Sequence, residues 1–170
     1  AVLAVVFNAM KEKTSATLGN FWKYFTRSIT RILLPLSFVY AIVLVFNGVP
    51  MTFKGADTIT TIQQEHQTIA RGPAAAEVAV KQLGTNGGGF FGANSAHPFE
   101  NPNYFTNMIE SIAIMLIPIA MVFALGFYLK RKKLSYIIFG VMTIGFLLLV
   151  IPNVIWETKE LIILDKKILI

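Results

Sequence analysis

Three stretches of the chain are apolar over most of their length and long enough to cross a bilayer, which takes roughly 20 residues of helix. They cover residues 29–46, 102–129 and 134–156. A soluble domain seldom contains such runs, so the pattern predicts an all-α integral membrane protein. An amphipathic helix on a soluble core is the alternative for the aromatic stretch before the first run. The apolar length that follows it disfavours this alternative.

The ends of the predicted spans carry residues typical of helix termini and membrane interfaces. The segment NFWKYFTR, before the first span, interleaves aromatic rings with cations, which suits the headgroup region. Asn101 is predicted to cap the second span, with Pro102 at its first helical position. Glu110 is expected to complement the dipole at that end, and Pro118 is expected to kink the helix.

The polar segment between the first two spans predicts a short helix followed by a glycine-rich loop. Alternation around residues 58–62 predicts a short strand or hairpin in the first part of this polar segment, residues 47–72, which we call the outer segment. The sequence PAAAEVAVKQLG, at residues 73–84, predicts a helix that starts at Pro73 and stops at Gly84. This helix is too short to cross a membrane, and TNGGG follows it directly.

This order of elements favours a pore loop. Irregular backbone at membrane depth is tolerated only where it is buried in protein or lines a cavity. Glycines reach backbone angles barred to other residues, so successive carbonyl oxygens can face one cation and replace its water. Phe90 and Phe91 are then expected to wedge the loop against neighbouring helices. A flexible exterior linker is the alternative, and a phosphate-binding loop is disfavoured because the motif lacks its lysine.

Composition narrows the chemistry that the chain can perform. It is 55% hydrophobic and 14% charged, and it contains no cysteine, which excludes disulfides, thiolate metal sites and cysteine nucleophiles. His66 is predicted to be a solvated surface residue, and His97 a structural residue rather than a metal ligand. Glu100 is expected either to attract cations at the loop mouth or to cap the next helix. We find no triad, acid–base pair or ATP site, so we expect no ATP hydrolysis by this chain.

The basic residues predict the orientation of the spans. The net charge of +6 is concentrated in two clusters beside the spans, and the positive-inside rule places both clusters in the cytoplasm. The outer segment is then external. Nucleic-acid binding is disfavoured because these cations form no separate basic domain. The clusters are Lys11, Lys13, Lys23, Arg27 and Arg31, and then Lys130, Arg131, Lys132 and Lys133.

The stretch RGPAAAEVAVKQLGTNGGGFFGANSAHPFENP closely resembles the second pore-loop region of the potassium-binding A subunit of Kdp-type potassium-transporting ATPases. The preceding TLGNFWKYFTRSITRILLPLSFVYAIVLVFNGVP resembles the segment before that region. The resemblance implies a potassium-channel-like fold of four pseudo-repeats, each built as helix, pore helix, filter loop and helix. It also implies a multi-pass protein of a bacterial or archaeal plasma membrane, with the loop on the extracytoplasmic side.

The same resemblance implies the ion and the partners. Potassium is the transported ion, no organic cofactor is expected, and ATP is bound by the P-type ATPase, which is the B component of the Kdp complex. The other implied partners are its small C component, its tiny F peptide, membrane lipid and the remaining repeats of the same chain. A membrane scaffold without a filter, or a re-entrant-loop transporter for organic solutes, remains an alternative.

On this resemblance the chain is expected to be an internal piece of a longer protein that holds one complete repeat, residues 29–133. The parts of that repeat are span 29–46, outer segment 47–72, pore helix 73–84, filter loop 85–91, return loop 92–101, span 102–129 and cytoplasmic basic turn 130–133. The flanking parts are the end of the preceding repeat with an interfacial segment at 1–28, the first helix of the next repeat at 134–156, and an unassigned tail at 157–170.

The resemblance also assigns the potassium-binding residues. Thr85, Asn86 and Gly87 match the ion-coordinating filter stretch of the family, and Gly88 and Gly89 continue it. Asn94 matches a filter-side residue whose side chain supports the site.

Overall fold

The computed structural model describes residues 1–11 and 17–168, with the backbone alone for residues 161–168. Lys13 of the first basic cluster and the last two residues of the predicted tail lie outside the described residues. The chain divides into two units, Ala1–Pro118 and the residues from Ile119 onward. The elements are α1 Val2–Lys11, α2 Phe21–Ser28, a π-helix Ile29–Leu33, α3 Leu34–Phe46, β1 Ala56–Thr60, β2 His66–Ala70, α4 Ala74–Gly84, α5 Tyr104–Tyr128 and α6 Lys132–Ile168.

Three helical stretches in the described residues are long and apolar enough to cross a membrane. They are Phe21–Phe46, Tyr104–Tyr128 and Lys132–Glu160, of 26, 25 and 29 residues. Each coincides with one of the predicted apolar runs, and many of their large apolar side chains are exposed. The prediction of a helical integral membrane protein is therefore confirmed. Besides the helices, the described residues form one small β-hairpin.

The first spanning helix begins eight residues before the predicted start at residue 29. Asn20 caps it, because the Asn20 Oδ1 accepts a hydrogen bond of 3.0 Å from the Lys23 amide. The aromatic and basic residues of NFWKYFTR thus form the first two turns of the same helix. A π-helical turn, in which Leu34 N donates to Ile29 O, precedes Pro35. Such a turn accommodates proline, which cannot donate to the residue four positions earlier.

The outer segment contains the predicted hairpin. Strands β1 and β2 are antiparallel, with Thr58 opposite Thr68. At the open end of the hairpin, backbone hydrogen bonds join the Arg71 amide to Gly55 O and the Thr52 amide to Gly72 O, at 3.0 and 3.1 Å. These bonds bring the two ends of the outer segment together, so α4 begins beside the end of α3.

The core of the first unit lies between α3 and α4. Small residues on α4 let the two helix backbones approach closely, as in packed membrane helices. The α4 amide of Ala75 also donates to Pro50 O at 2.9 Å, which satisfies one free amide at the helix start. The buried residues of this core are Leu44, Val49, Ala74, Ala75, Val78 and Ala79.

The second spanning helix begins at Tyr104, and the predicted cap at Asn101 was wrong. Asn103 caps the helix, because the Thr106 amide donates to Asn103 Oδ1 at 2.9 Å and the Asn103 amide donates to Thr106 Oγ1 at 3.1 Å. This reciprocal pair is a capping box. Asn101 instead accepts from the Thr106 hydroxyl at 2.6 Å. Pro102 lies before the helix and not at its first helical position, because α5 begins at Tyr104.

In the second unit, the end of α5 and the start of α6 meet across a tight turn. Lys130 has φ +55, and α6 begins at Lys132, so the basic cluster lies partly in the turn and partly in the helix. A side chain on Gly126 would collide with Ser135, so this close approach requires glycine. Helix α6 continues through Pro152 and beyond residue 156 into the tail.

Candidate functional site

The glycine loop begins at the C-terminal end of α4. Gly84 is the last residue of the helix, which agrees with the predicted stop, and Thr85 follows in the left-handed conformation, with φ +49 and ψ +36. The residue that leaves the helical path is therefore a threonine and not the glycine. A left-handed β-branched residue is strained by about 1–2 kcal/mol, so the surrounding structure must hold this turn.

The loop itself is exposed and shaped by its own backbone. Residues 84–89 are all solvent-exposed in this chain. Gly87 has φ +72, and a side chain there would meet nothing within 4 Å. Glycine at this position therefore serves the backbone conformation and not the packing. The Gly88 amide donates to Asn86 Oδ1 at 2.9 Å, so the Asn86 side-chain oxygen already serves the turn.

A buried ion pair lies behind the loop. Lys81 of α4 and Glu100 of the return loop contact each other through Nζ and Oε2, and both side chains are shielded from solvent. The Lys81 ammonium also donates to Gly92 O at 3.3 Å, and the Phe91 amide donates to Glu100 Oε1 at 2.7 Å. Both expectations for Glu100 were wrong, because this carboxylate neither faces the mouth nor caps α5.

Burial raises the pKa of Glu100, but hydrogen bonds from Lys81, the Phe91 amide and Ser95 outweigh that cost. The net result is a pKa below the usual glutamate value. The carboxylate is therefore charged at neutral pH, as the ion pair requires.

A second buried link involves the next residue of α4. Gln82 Nε2 donates to Ser95 Oγ at 2.8 Å and to Glu110 Oε2 at 2.6 Å. Glu110 lies in the early turns of α5, as predicted, but its side chain is buried in this arrangement and joins α5 to α4. Within the described part of the chain, Glu110 Oε1 and the Tyr40 hydroxyl are buried without a hydrogen-bond partner.

Aromatic residues hold the loop against helices α3 and α4, in agreement with the prediction for Phe90 and Phe91. Phe90 and Phe91 pack on the α3–α4 core, and their ring centroids are 4.8 Å apart. A side chain at Gly72 would collide with the Phe90 ring, so the chain is in close contact there. His97 stacks on Phe91 with centroids 4.2 Å apart, and its Nδ1 accepts from the Phe99 amide at 3.1 Å. His66, by contrast, is exposed on the hairpin, as predicted.

The structure brings Thr85 to Gly89 together as one continuous turn. Asn94 is exposed in the following turn, and among the described residues no hydrogen bond joins it to residues 85–89. Sequence reasoning missed the buried polar residues behind the loop. The helical spacing of α4 contained a signal for two of them. Lys81 and Gln82 lie seven positions after the buried Ala74 and Ala75, and therefore on the same helix face.

Comparison with known proteins identifies the family. The sequence profile of KdpA, described as "Potassium-transporting ATPase A subunit", matches residues 1–168. Three similar proteins carry the name "Potassium-transporting ATPase potassium-binding subunit". The Flavobacterium psychrophilum protein is 66% identical over 92% of this chain, and the Flavobacterium johnsoniae protein is 64% identical over 92%. The Pseudomonas putida protein is 49% identical over 87% of this chain.

The match extends through the spans, the hairpin, the short helix α4 and the glycine loop. The chain spans 27% of the length of the two Flavobacterium relatives and 26% of the Pseudomonas relative. Because the family profile covers nearly the whole chain, this chain belongs to the family of potassium-transporting ATPase A subunits.

Proposed function

We propose that this chain contributes one filter loop to a potassium-binding transport protein. In this proposal, backbone carbonyl oxygens of Thr85, Asn86 and Gly87 coordinate dehydrated K⁺, and Gly88 and Gly89 extend the coordinating stretch. Asn94 is a filter-side residue whose side chain supports the site. The family membership supports the ion, since the relatives are named as potassium-binding subunits.

The observation that carries the proposal is the loop's construction. Five exposed residues, three of them glycines, follow the end of a short helix that is buried on one face. The partly negative C-terminus of such a helix favours a cation at the loop. Strain at Thr85 and positive φ at Gly87 indicate a backbone held in an unusual path, which a filter needs and a loose linker does not.

Coordination is assigned to the main chain for a specific reason. The Asn86 side-chain oxygen accepts the Gly88 amide, so it is already engaged within the loop. Backbone carbonyls in a glycine-rich turn are the groups that replace the hydration shell of K⁺ in filters. Selectivity then depends on how firmly the backbone is held, because the spacing of the carbonyl oxygens distinguishes K⁺ from ions of other sizes.

We propose that the whole protein completes this site and couples it to ATP hydrolysis. The remaining repeats of the longer chain would close a four-part filter around the same axis. Potassium would pass to the P-type ATPase that binds ATP, the B component of a complex that also holds the small C component and the F peptide. The basic clusters would lie in the cytoplasm of a bacterial or archaeal cell, with the loop on the extracytoplasmic side of the plasma membrane.

Potassium-stimulated ATPase activity of the complete complex tests this function. Gly87→Ala forces a left-handed backbone on a residue with a side chain, without any steric collision. We expect its apparent KM for K⁺ to rise about tenfold, a loss of about 1.4 kcal/mol in binding, while assembly survives. Gly55→Ala is the matched control, because Gly55 also has open space but lacks a positive φ. Loss of assembly with unchanged K⁺ affinity in the residual complex would instead indicate a scaffold.

A further inference from the structure

The buried ion pair between Lys81 and Glu100 touches the glycine loop where the chain turns back. Lys81 Nζ donates to Gly92 O at 3.3 Å, and Glu100 Oε1 accepts from the Phe91 amide at 2.7 Å. The two charged side chains therefore hold consecutive residues just after the three glycines. The pair also joins the pore helix to the return loop across 19 positions of sequence.

Lys81 approaches the last of the three glycines as well. A side chain built on Gly89 would lie 2.7 Å from Lys81 Nζ and would collide with Gly92 O. Only glycine allows the ammonium this close to the loop backbone. Charges interact strongly where water is scarce, so an unpaired ammonium here would repel a cation in the loop. The Glu100 carboxylate compensates that charge.

General stability does not account for such a pair. Desolvation costs several kcal/mol for each buried ion, and replacing a buried pair by apolar residues of similar volume is often neutral or stabilising. What apolar residues cannot supply is a donor for Gly92 O and an acceptor for the Phe91 amide. The specific consequence of this pair is therefore the position of the backbone between Gly89 and Gly92.

We propose that the Lys81–Glu100 ion pair is a positioning element that fixes this backbone and thereby sets the loop's selectivity among monovalent cations. This inference rests on the proposed function, since it needs an ion in the loop. Neither residue touches the ion. Both act through the main chain, so their loss alters discrimination between ions of different radius more than it alters assembly.

The test measures ATPase stimulation of the complete complex by K⁺ and by Rb⁺. Lys81→Met keeps most of the side-chain volume and removes the charge, and Glu100→Gln keeps an acceptor and removes the charge. We expect each variant to lower the ratio of apparent KM for Rb⁺ to that for K⁺ about tenfold, a change of about 1.4 kcal/mol in the difference between the two binding free energies. The double variant should be equally unselective. It should bind K⁺ more tightly than Glu100→Gln alone, because it leaves no unpaired ion.

Asp57→Asn is the matched control. It breaks an exposed ion pair with Lys54 and Arg71 in the hairpin, and we expect the wild-type ratio. If neither Lys81→Met nor Glu100→Gln assembles, Lys81→Arg keeps the charge, moves the donor and allows the same measurement.

The outcomes separate the two proposals. A wild-type complex that is indifferent to K⁺ overturns the proposed function. A selective wild type whose ion-pair variants all keep the wild-type ratio, at whatever yield, overturns the positioning role alone.

Discussion

The side-chain amide of Gln82, on the short helix α4, lies 2.6 Å from the Glu110 carboxylate on the spanning helix α5. The same amide nitrogen donates to Ser95 Oγ at 2.8 Å. One side chain thus joins α4, the return loop and the second span within a buried environment. In such an environment a lost donor is not replaced by water, so this link is expected to matter for stability.

Replacing Gln82 by Leu removes the donor from two buried acceptors. We expect the variant to lose about 1–3 kcal/mol of stability, the cost of leaving buried polar groups unsatisfied. Thermal unfolding of the purified complex in detergent measures this loss. Gln67→Leu, on the exposed strand β2, is the control and should leave the melting temperature unchanged. Equal melting temperatures for the two variants would contradict the role given to Gln82.

Alanine substitutions at Gly72 and Gly87 are predicted to have different effects on assembly and on K⁺ affinity. Both have positive φ, but a side chain on Gly72 would collide with the Phe90 ring, whereas one on Gly87 would meet open space. Gly72→Ala should therefore reduce the yield of assembled complex, because it disturbs the packing of the loop on the α3–α4 core. The complex that does assemble should retain its K⁺ affinity.

Quantitative purification with K⁺-stimulated ATPase activity distinguishes the two glycines. Gly87→Ala is expected to show normal yield and weak K⁺ affinity, the reverse of the Gly72 result. If both variants instead lost yield and kept their K⁺ affinity, both glycines would serve only packing.

The ion pair behind the loop predicts a pH dependence with a definite sign. The folded-state pKa of Glu100 lies below its usual value, so the unfolded chain takes up the proton first as the pH falls. The stabilisation is fully present above the usual value of 4.5 and is lost as the pH falls through the lower folded-state pKa. The stabilisation of the loop backbone by the Glu100 carboxylate, which we call the hold on the loop, should therefore be constant from pH 8 to about pH 5. It should weaken only in stronger acid.

Hydrogen exchange at the Phe91 amide, corrected for the intrinsic pH dependence of exchange, measures this hold. Protection should fall only in the acidic range for the wild type. Glu100→Gln should show weaker protection than the wild type, because a neutral acceptor binds the amide less strongly than a carboxylate does. This protection should not change with pH, since the side chain has no charge to lose. A decline in wild-type protection near neutral pH would contradict the assignment.

Several features of the fold were predictable because they depend on local pattern. The three spans follow from uninterrupted apolar runs, and the hairpin follows from alternation near Thr58. The short helix follows from Pro73 and a run of good helix formers. The family was recognisable from the same glycine-containing stretch. Helix boundaries were less predictable, because Asn101 and Asn103 are equally good caps in isolation, and the Thr106 side chain selects Asn103.

The sequence by itself therefore determined the class of protein, the number of apolar spans in the described chain and the place of the glycine loop. Only the tertiary structure decided what lies behind that loop. Lys81 meets Glu100 across 19 positions and Gln82 meets Glu110 across 28. Hydrophobic periodicity is read over a few turns, whereas these partners come together only when the return loop and the first turns of α5 fold back toward α4. Burial then turns ordinary polar residues into the contacts that hold the loop.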